Sequence, residues 1–250
     1  MKFSTTLRAL LAPALVLAAA TGATFADDQT SATKPVYRAG EWRGYERQFN
    51  QHIAAASAAL NKGDAKLLFI GDSITEGWNT DGRAVWNRHY APRKAVNLGL
   101  SGDRTQNVLH RLDKLPLAKV KPKAAVLLIG YNNITAVYNG KSTPRETADG
   151  VKAVVARLKK AYPSIKILVL HVLPAANPRD VKNIKEVNAL LPSLLRGERN
   201  VTLLDLTASF ADGTGKILPN LSRDGVHLNA QGYQTWAAKM EPALKKLLGE

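Results

Sequence analysis

KLLFIGDSITEGW, Lys66 to Trp78, passes from apolar to polar in one step. Leu67–Ile70 is an unbroken hydrophobic run, and Gly71-Asp72 ends it just before Ser73. A continuous run, rather than an alternating one, is the pattern of a strand covered on both faces. Such strands build parallel sheets between helix layers, and ligands bind at their carboxyl ends. Ser73 stands at such an end. It is either the cap of the next helix or a nucleophile presented by the strand.

Working outward, five apolar runs read as strands: Lys66–Gly71, Ala95–Leu98, Ala124–Ile129, Ile165–Val172 and Val201–Asp205. Helical segments separate them, near Ala84–Tyr90, Thr105–Leu112, Pro144–Ala161 and Val181–Leu195. Two more flank the set. In Trp42–Asn61, Tyr45, Phe49, Ile53 and Ala56 recur at three- and four-residue spacing, and Ala230–Leu248 closes the chain. Alternation of this kind predicts an α/β protein with a three-layer α/β/α sandwich around a five-stranded parallel sheet. Right-handed crossovers leave few strand orders, and 2-1-3-4-5 is the expected one.

The chain of 250 residues begins MKFSTTLRALLAPALVLAAATGATFA. Lys2 and Arg8, the apolar run Ala9–Ala20 and the small residues Thr24 and Ala26 have the form of a secretory signal peptide, residues 1–26, cleaved near Ala26. The expected mature protein is therefore exported, periplasmic or extracellular. Residues 27–41 are polar and punctuated and read as a flexible segment, leaving 42–250 as one domain. The absence of cysteine excludes disulfides, thiolate metal sites and a cysteine nucleophile. Metal-ligand spacing is absent, there is no G-x-G-x-x-G, and GKS at Gly140–Ser142 lacks the first glycine of a phosphate loop, so no cofactor is expected.

The strand ends carry the chemistry. They are GDSITEGW, NLGLSGDRT (Asn97–Thr105), GYNN (Gly130–Asn133), His171 with Leu173-Pro174, and SRDGVHLNAQGY (Ser222–Tyr233). Acyl transfer needs a nucleophile, a base, an orienter for the base and donors for an oxyanion. Ser73 is the candidate nucleophile. Among five histidines, His52, His89 and His110 lie on helical segments, while His171 and His227 lie at strand ends. Only His227 has an acid three residues before it, Asp224, in a glycine-containing turn where both side chains face one way. The candidate oxyanion donors are the Ser73 N–H, the Gly102 N–H and the Asn132 side-chain amide. Each residue has a plainer reading alone: a helix cap, a turn carboxylate, a turn glycine, a loop amide.

Together, in this order, GDSI, LSGD, GYNN and DGVH resemble the SGNH (GDSL) hydrolases. The resemblance is strongest to the platelet-activating-factor acetylhydrolase catalytic-subunit branch and its secreted bacterial relatives. NLGLSGDRTQNVLHRL and DGVHLNAQGY carry that branch, and the similarity runs from about Lys66 to Leu248. It implies a flavodoxin-like sandwich, no metal, and ester hydrolysis with Ser73, Gly102, Asn132 and His227 in the roles above. The G-x-S-x-G elbow of other hydrolases is excluded, since Thr75 stands where its second glycine belongs.

Substrate contacts are expected from the neighbours of these residues: Ile74, Trp78, Arg104, Tyr131, Asn133, His171 and Val226. Trp78 is read as a stacking platform for a sugar, with a packed indole as the alternative. Tyr131 is read as narrowing the acyl space toward acetyl, if its ring faces the site. The expected substrate is a small acyl ester, acetyl first, of a small molecule or glycan. The alternatives are a lysophospholipase-like activity and a non-catalytic glycan binder. The net charge of +15 falls to +13 without Lys2 and Arg8. Fourteen of its lysines and arginines, Lys66, Lys121, Lys123, Lys245 and Lys246 among them, fall before strands or at helix C-termini, on the face opposite the site. That face suits helix-dipole complementarity, or docking on an anionic envelope surface. No nucleic-acid module accompanies it.

Overall fold

The computed structural model describes residues 31–38, 44–135 and 142–250. The expected leader 1–26, residues 27–30 and 39–41 of the following segment, Trp42 and the Gly140-Lys141 pair lie outside the described residues. The elements in chain order are α1 (Tyr45–Asn61), β1 (Leu67–Gly71), α2 (Ser73–Glu76), α3 (Arg83–His89), β2 (Ala95–Gly99), α4 (Thr105–Lys114), β3 (Ala124–Leu128), α5 (Tyr131–Ile134), α6 (Pro144–Ala161), β4 (Lys166–Leu170), α7 (Pro178–Leu194), β5 (Val201–Leu204), α8 (Thr207–Phe210) and α9 (Ala230–Leu248).

The five strands form one parallel sheet in the order β2-β1-β3-β4-β5, as the runs predicted. β1 and β3 are buried at every position, whereas the edge strands β2 and β5 keep partly exposed residues. The pleat sends alternate side chains to opposite layers. Leu68, Ile70, Ala125, Leu127, Ile167 and Val169 pack against α1, α4, α6 and α7. Leu67, Phe69, Val126, Leu128, Leu168 and Leu170 pack against α3 and α9. These two apolar layers make the sandwich.

Caps account for several helix limits. Thr143 and Glu146 cap α6 reciprocally, with Pro144 in its first turn. Asn177 accepts the Arg179 N–H, and Pro178 opens α7, three residues before the expected start at Val181. The four-residue helices α2, α5 and α8 are too short to carry a periodicity, and all three follow strand ends.

One expectation is corrected. The described part of the 27–41 segment, residues 31–38, is packed rather than a free tether. Ala32, Val36 and Arg38 are buried. The Val36 N–H donates to the Gln106 carbonyl at 3.0 Å, and the Asn107 amide donates back to the Val36 carbonyl at 3.0 Å. Thr105 Oγ1 donates to the Ala32 carbonyl at 2.7 Å. The polar composition concealed backbone groups that complete the start of α4.

Candidate active site

Ser73 is the first residue of α2, not its cap. The cap is Asp72, whose Oδ1 accepts the Ile74 N–H at 3.0 Å. This leaves the serine hydroxyl without a capping duty, and Ser73 Oγ lies 2.9 Å from His227 Nε2. His227 Nδ1 lies 2.7 Å from Asp224 Oδ2. The other carboxylate oxygen, Oδ1, accepts the N–H groups of Val226 and His227 at 3.0 and 2.8 Å. Burial pushes the Asp224 carboxyl up, but the His227 and Val226 N–H groups and the imidazole outweigh it and hold the group below its ordinary range. An ionised Asp224 is the state that can orient and stabilise an imidazolium.

The turn that carries this pair is locked on both sides. Gly225, at φ +85°, lets the chain reverse between Asp224 and Val226. Its N–H donates to Ser222 Oγ at 2.9 Å and its carbonyl accepts the Ala176 N–H at 2.8 Å. Ser222 Oγ donates to the His227 carbonyl at 2.8 Å, and Arg223 pairs with Asp81 at 2.8 Å. The loop after β4 therefore braces the histidine turn.

The donor groups sit at the ends of β1, β2 and β3. Gly102 takes φ +75° in the loop after β2, and an added Cβ there would fall 2.2 Å from Arg38 Nη1. Both terminal guanidinium nitrogens of Arg38 donate into this loop, Nη1 to the Gly102 carbonyl and Nη2 to the Ser101 carbonyl at 3.2 Å. Glu76 Oε2 accepts the Ser101 N–H at 2.9 Å. Asn132, in α5, donates from Nδ2 to the Asp103 carbonyl at 2.9 Å, which ties the third donor to the same loop and leaves its second N–H uncommitted by that bond.

Beneath the loop lies a buried ion pair, Arg111 Nε to Asp103 Oδ2 at 2.9 Å, with both side chains almost fully shielded. Arg111 also donates to the carbonyls of Leu98 and Gly71, the latter at 3.2 Å, so one side chain joins the ends of β1 and β2. Burial pushes the Asp103 carboxyl up to about 6 against the pull of Arg111. Burial and the Arg111 charge press the neighbouring His52 down to about 3, which keeps it neutral. Asp72, also buried, is pushed up to about 7. Arg38, Glu76, Asp103 and Arg111 were not singled out from the sequence. Asp103 and Arg111 stand eight residues apart in GDRTQNVLHRL, but that stretch is largely polar and gives no local sign that the two are buried together, and Arg38 and Glu76 lie outside it.

Several expected substrate contacts are corrected. Trp78 is fully buried among Phe69, Trp86, Tyr90, Tyr233 and Trp236, so it offers no face to a sugar. Tyr131 packs in the core on the α6 and α7 side, and its hydroxyl donates to Asp180 Oδ2 at 3.0 Å, so it does not narrow the acyl space. Asn133 is buried and joins Thr105, Gln106 and Ser142. Ile74 is a core residue beneath α2. Arg104 is buried at the start of α4. Val226 is half-buried beside His227. His171, the rival base, pairs through Nδ1 with Asp205 Oδ1 at 3.3 Å, and the serine is left to His227. No group of three or more His, Asp or Glu among the described residues has the arrangement of a metal site.

Comparison with known proteins agrees with this arrangement. Residues 69–235 match the model of the GDSL-like Lipase/Acylhydrolase family. The chain is 32% identical over 217 residues to platelet-activating factor acetylhydrolase IB subunit alpha2 of Rattus norvegicus, covering 86% of this chain and 90% of the relative. A GDSL-like lipase from Bacteroides thetaiotaomicron superposes with a TM-score of 0.67 at 23% identity, over 79% of this chain and 97% of that one. A carbohydrate esterase family 3 protein from Talaromyces cellulolyticus superposes with a TM-score of 0.54 at 17% identity, over 74% and 98%. With a parallel sheet delivering Ser73 to a histidine, and a family match across most of the described chain, this protein belongs to the GDSL-like lipase/acylhydrolase family and is an ester-bond hydrolase.

Proposed function

We propose that the chain is an exported serine esterase that removes small acyl groups, acetyl foremost, with O-acetylated carbohydrate as the substrate class. The observation that carries the chemistry is the continuous path from Ser73 Oγ through the His227 ring to Asp224, at 2.9 and 2.7 Å. His227 takes the Ser73 proton as Oγ attacks the ester carbonyl. The oxyanion forms against the N–H groups of Ser73 and Gly102 and the amide of Asn132. His227 then protonates the leaving alcohol, and a water activated by the same ring releases the acid. The preference for acetyl is supported by the relative's name as an acetylhydrolase, and the carbohydrate class by the neighbour described as a carbohydrate esterase. Export rests on the form of residues 1–26 and is tested by whether the amino terminus of protein recovered outside the cytoplasm begins near Asp27.

Hydrolysis of 4-nitrophenyl acetate, butyrate and octanoate, beside Ser73→Ala, tests the rest. Acetate turnover that drops at least about 10³-fold in the variant is the expected result. Highest activity on octanoate would replace the small-acyl reading with a lipid one. Equal activity in the variant would remove Ser73 from the mechanism. Acetylated oligosaccharides, assayed by acetate release, then decide the carbohydrate class.

A further inference from the structure

All five strands are parallel, so their amino ends share one face, on the far side of the sheet from Ser73. A groove of about 740 Å³ opens there between the approach to β3, the turn from α6 to β4 and the end of α9. Pro122, Pro163, Leu247 and Leu248 contribute apolar walls, and Lys121 and Lys123 stand at the rim. Lys166 lies on the same rim and donates to the Leu247 carbonyl at 2.6 Å, which holds the end of α9 against the sheet.

The positive charge of this face has two origins. Lys159 and Lys160 close α6, and Lys245 and Lys246 close α9, so helix dipoles account for them. Arg93, Lys94 and Lys159 also have acidic partners in Glu241, Asp64 and Glu198. Lys66, Lys121 and Lys123 differ. They lie ahead of β1 and β3, complement no helix end, are exposed, and have no ion-pair partner among the described residues. Solubility alone explains lone lysines, but not an apolar groove rimmed by Lys121 and Lys123, with Lys66 beside Lys123 and Leu248 in the adjoining cleft.

We propose that this face docks on an anionic phospholipid surface, with Lys66, Lys121 and Lys123 over the headgroups and the groove taking up the apolar margin of the lipid. A cationic rim around an apolar slot matches the order of charge and hydrocarbon at such a surface. A nucleic acid would want aromatic stacking platforms. Tyr162 is the only aromatic residue in the groove lining; it is buried, and its hydroxyl is spent on the Leu117 carbonyl at 2.7 Å. Strands of five residues put about 16 Å of sheet between the groove and the serine, so a docked molecule presents its hydrolytic face to solvent. The proposal does not depend on the esterase reading.

Flotation of the mature chain, without the expected leader 1–26, with vesicles of phosphatidylcholine alone, and of phosphatidylcholine mixed with phosphatidylglycerol, is the test. Binding is expected only to the mixed vesicles and is expected to fall with salt. Lys121→Gln with Lys123→Gln removes two headgroup contacts and weakens it by about 30-fold. Leu248→Asn weakens binding while leaving its salt dependence in place. Parent and variants share the same amino terminus, so the differences report this face. Hydrolysis of a soluble ester is unchanged in both variants, because the substitutions lie at the opposite end from Ser73. The melting temperature is unchanged in the exposed lysine variant. It falls modestly in Leu248→Asn, whose side chain packs partly against the core, so Leu248→Asn is read at a temperature where it is fully folded. Equal flotation of the double variant overturns the proposal. So does equal binding to pure phosphatidylcholine. Lysine-dependent binding of duplex DNA with no vesicle binding overturns it in favour of a nucleic acid.

Discussion

Asp224 shows how much one side chain does. Its Oδ1 builds the turn by accepting two N–H groups, and its Oδ2 faces His227 Nδ1. Asp224→Asn keeps an oxygen for the turn but sets an amide against the imidazole, which favours the wrong tautomer. We expect the turnover number to fall about 10²- to 10⁴-fold with little change in melting temperature. A variant that loses stability and activity in proportion would make Asp224 a turn residue only. Asp72 makes a different prediction. Its carboxyl rises from 3.8 to about 7 in the fold, chiefly by burial, so the folded protein holds this proton more tightly than the unfolded chain. That contribution is complete below the ordinary value and is lost as pH rises through about 7. Asp72→Asn keeps an acceptor for Ile74 and has no proton to lose. Its melting temperature should therefore gain on the parent's as pH is raised from about 4 to 8. A gap that stays constant across that range would show that Asp72 does not titrate in it.

At the scale of elements, the site is three strand ends tied together from beneath. Arg111 reaches from α4 to the carbonyls of Gly71 and Leu98 and to Asp103. Arg111→Met leaves Asp103 buried without its counter-charge, and removal of one partner of such a pair costs about 3–5 kcal/mol. Denaturant unfolding measures that loss, and a change below about 1 kcal/mol would mean that water has replaced the guanidinium. The ends of the strands and the serine, glycine, asparagine and histidine that follow them were legible in the sequence, because apolar runs and turn residues are local signals. The supports were not. Arg38 and Asn107 make bonds between residues more than sixty positions apart, and no window along the chain contains both partners. The same limit explains Trp78 and Tyr131. An aromatic residue near a site looks alike in sequence whether it faces solvent or the core.

Across the whole molecule, the sheet separates two apolar layers of different character. The α3 and α9 layer is aromatic: Phe69, Trp78, Tyr90, Tyr233 and Trp236 lie with ring centroids about 5–6 Å apart. Trp236 is fully buried at the centre of α9. Trp236→Ala should cost about 3–5 kcal/mol and lower the melting temperature by roughly 6–20 °C, read by calorimetry. A shift of a degree or two would mean that the layer collapses to fill the cavity. The tight packing that makes this layer sensitive also places α9, and with it the histidine turn that precedes it, against the serine strand. The sequence by itself determined the α/β alternation, the parallel sheet, its order, and which residues meet at its carboxyl edge. These follow from hydrophobic period and chain connectivity, which are properties of short segments. Only the tertiary structure decided that His171 is taken up by Asp205, that Trp78 and Tyr131 belong to the core, and that residues 31–38 brace the glycine loop. Those outcomes depend on which distant surfaces pack together, and packing is fixed by the whole set of buried contacts rather than by any stretch of the chain.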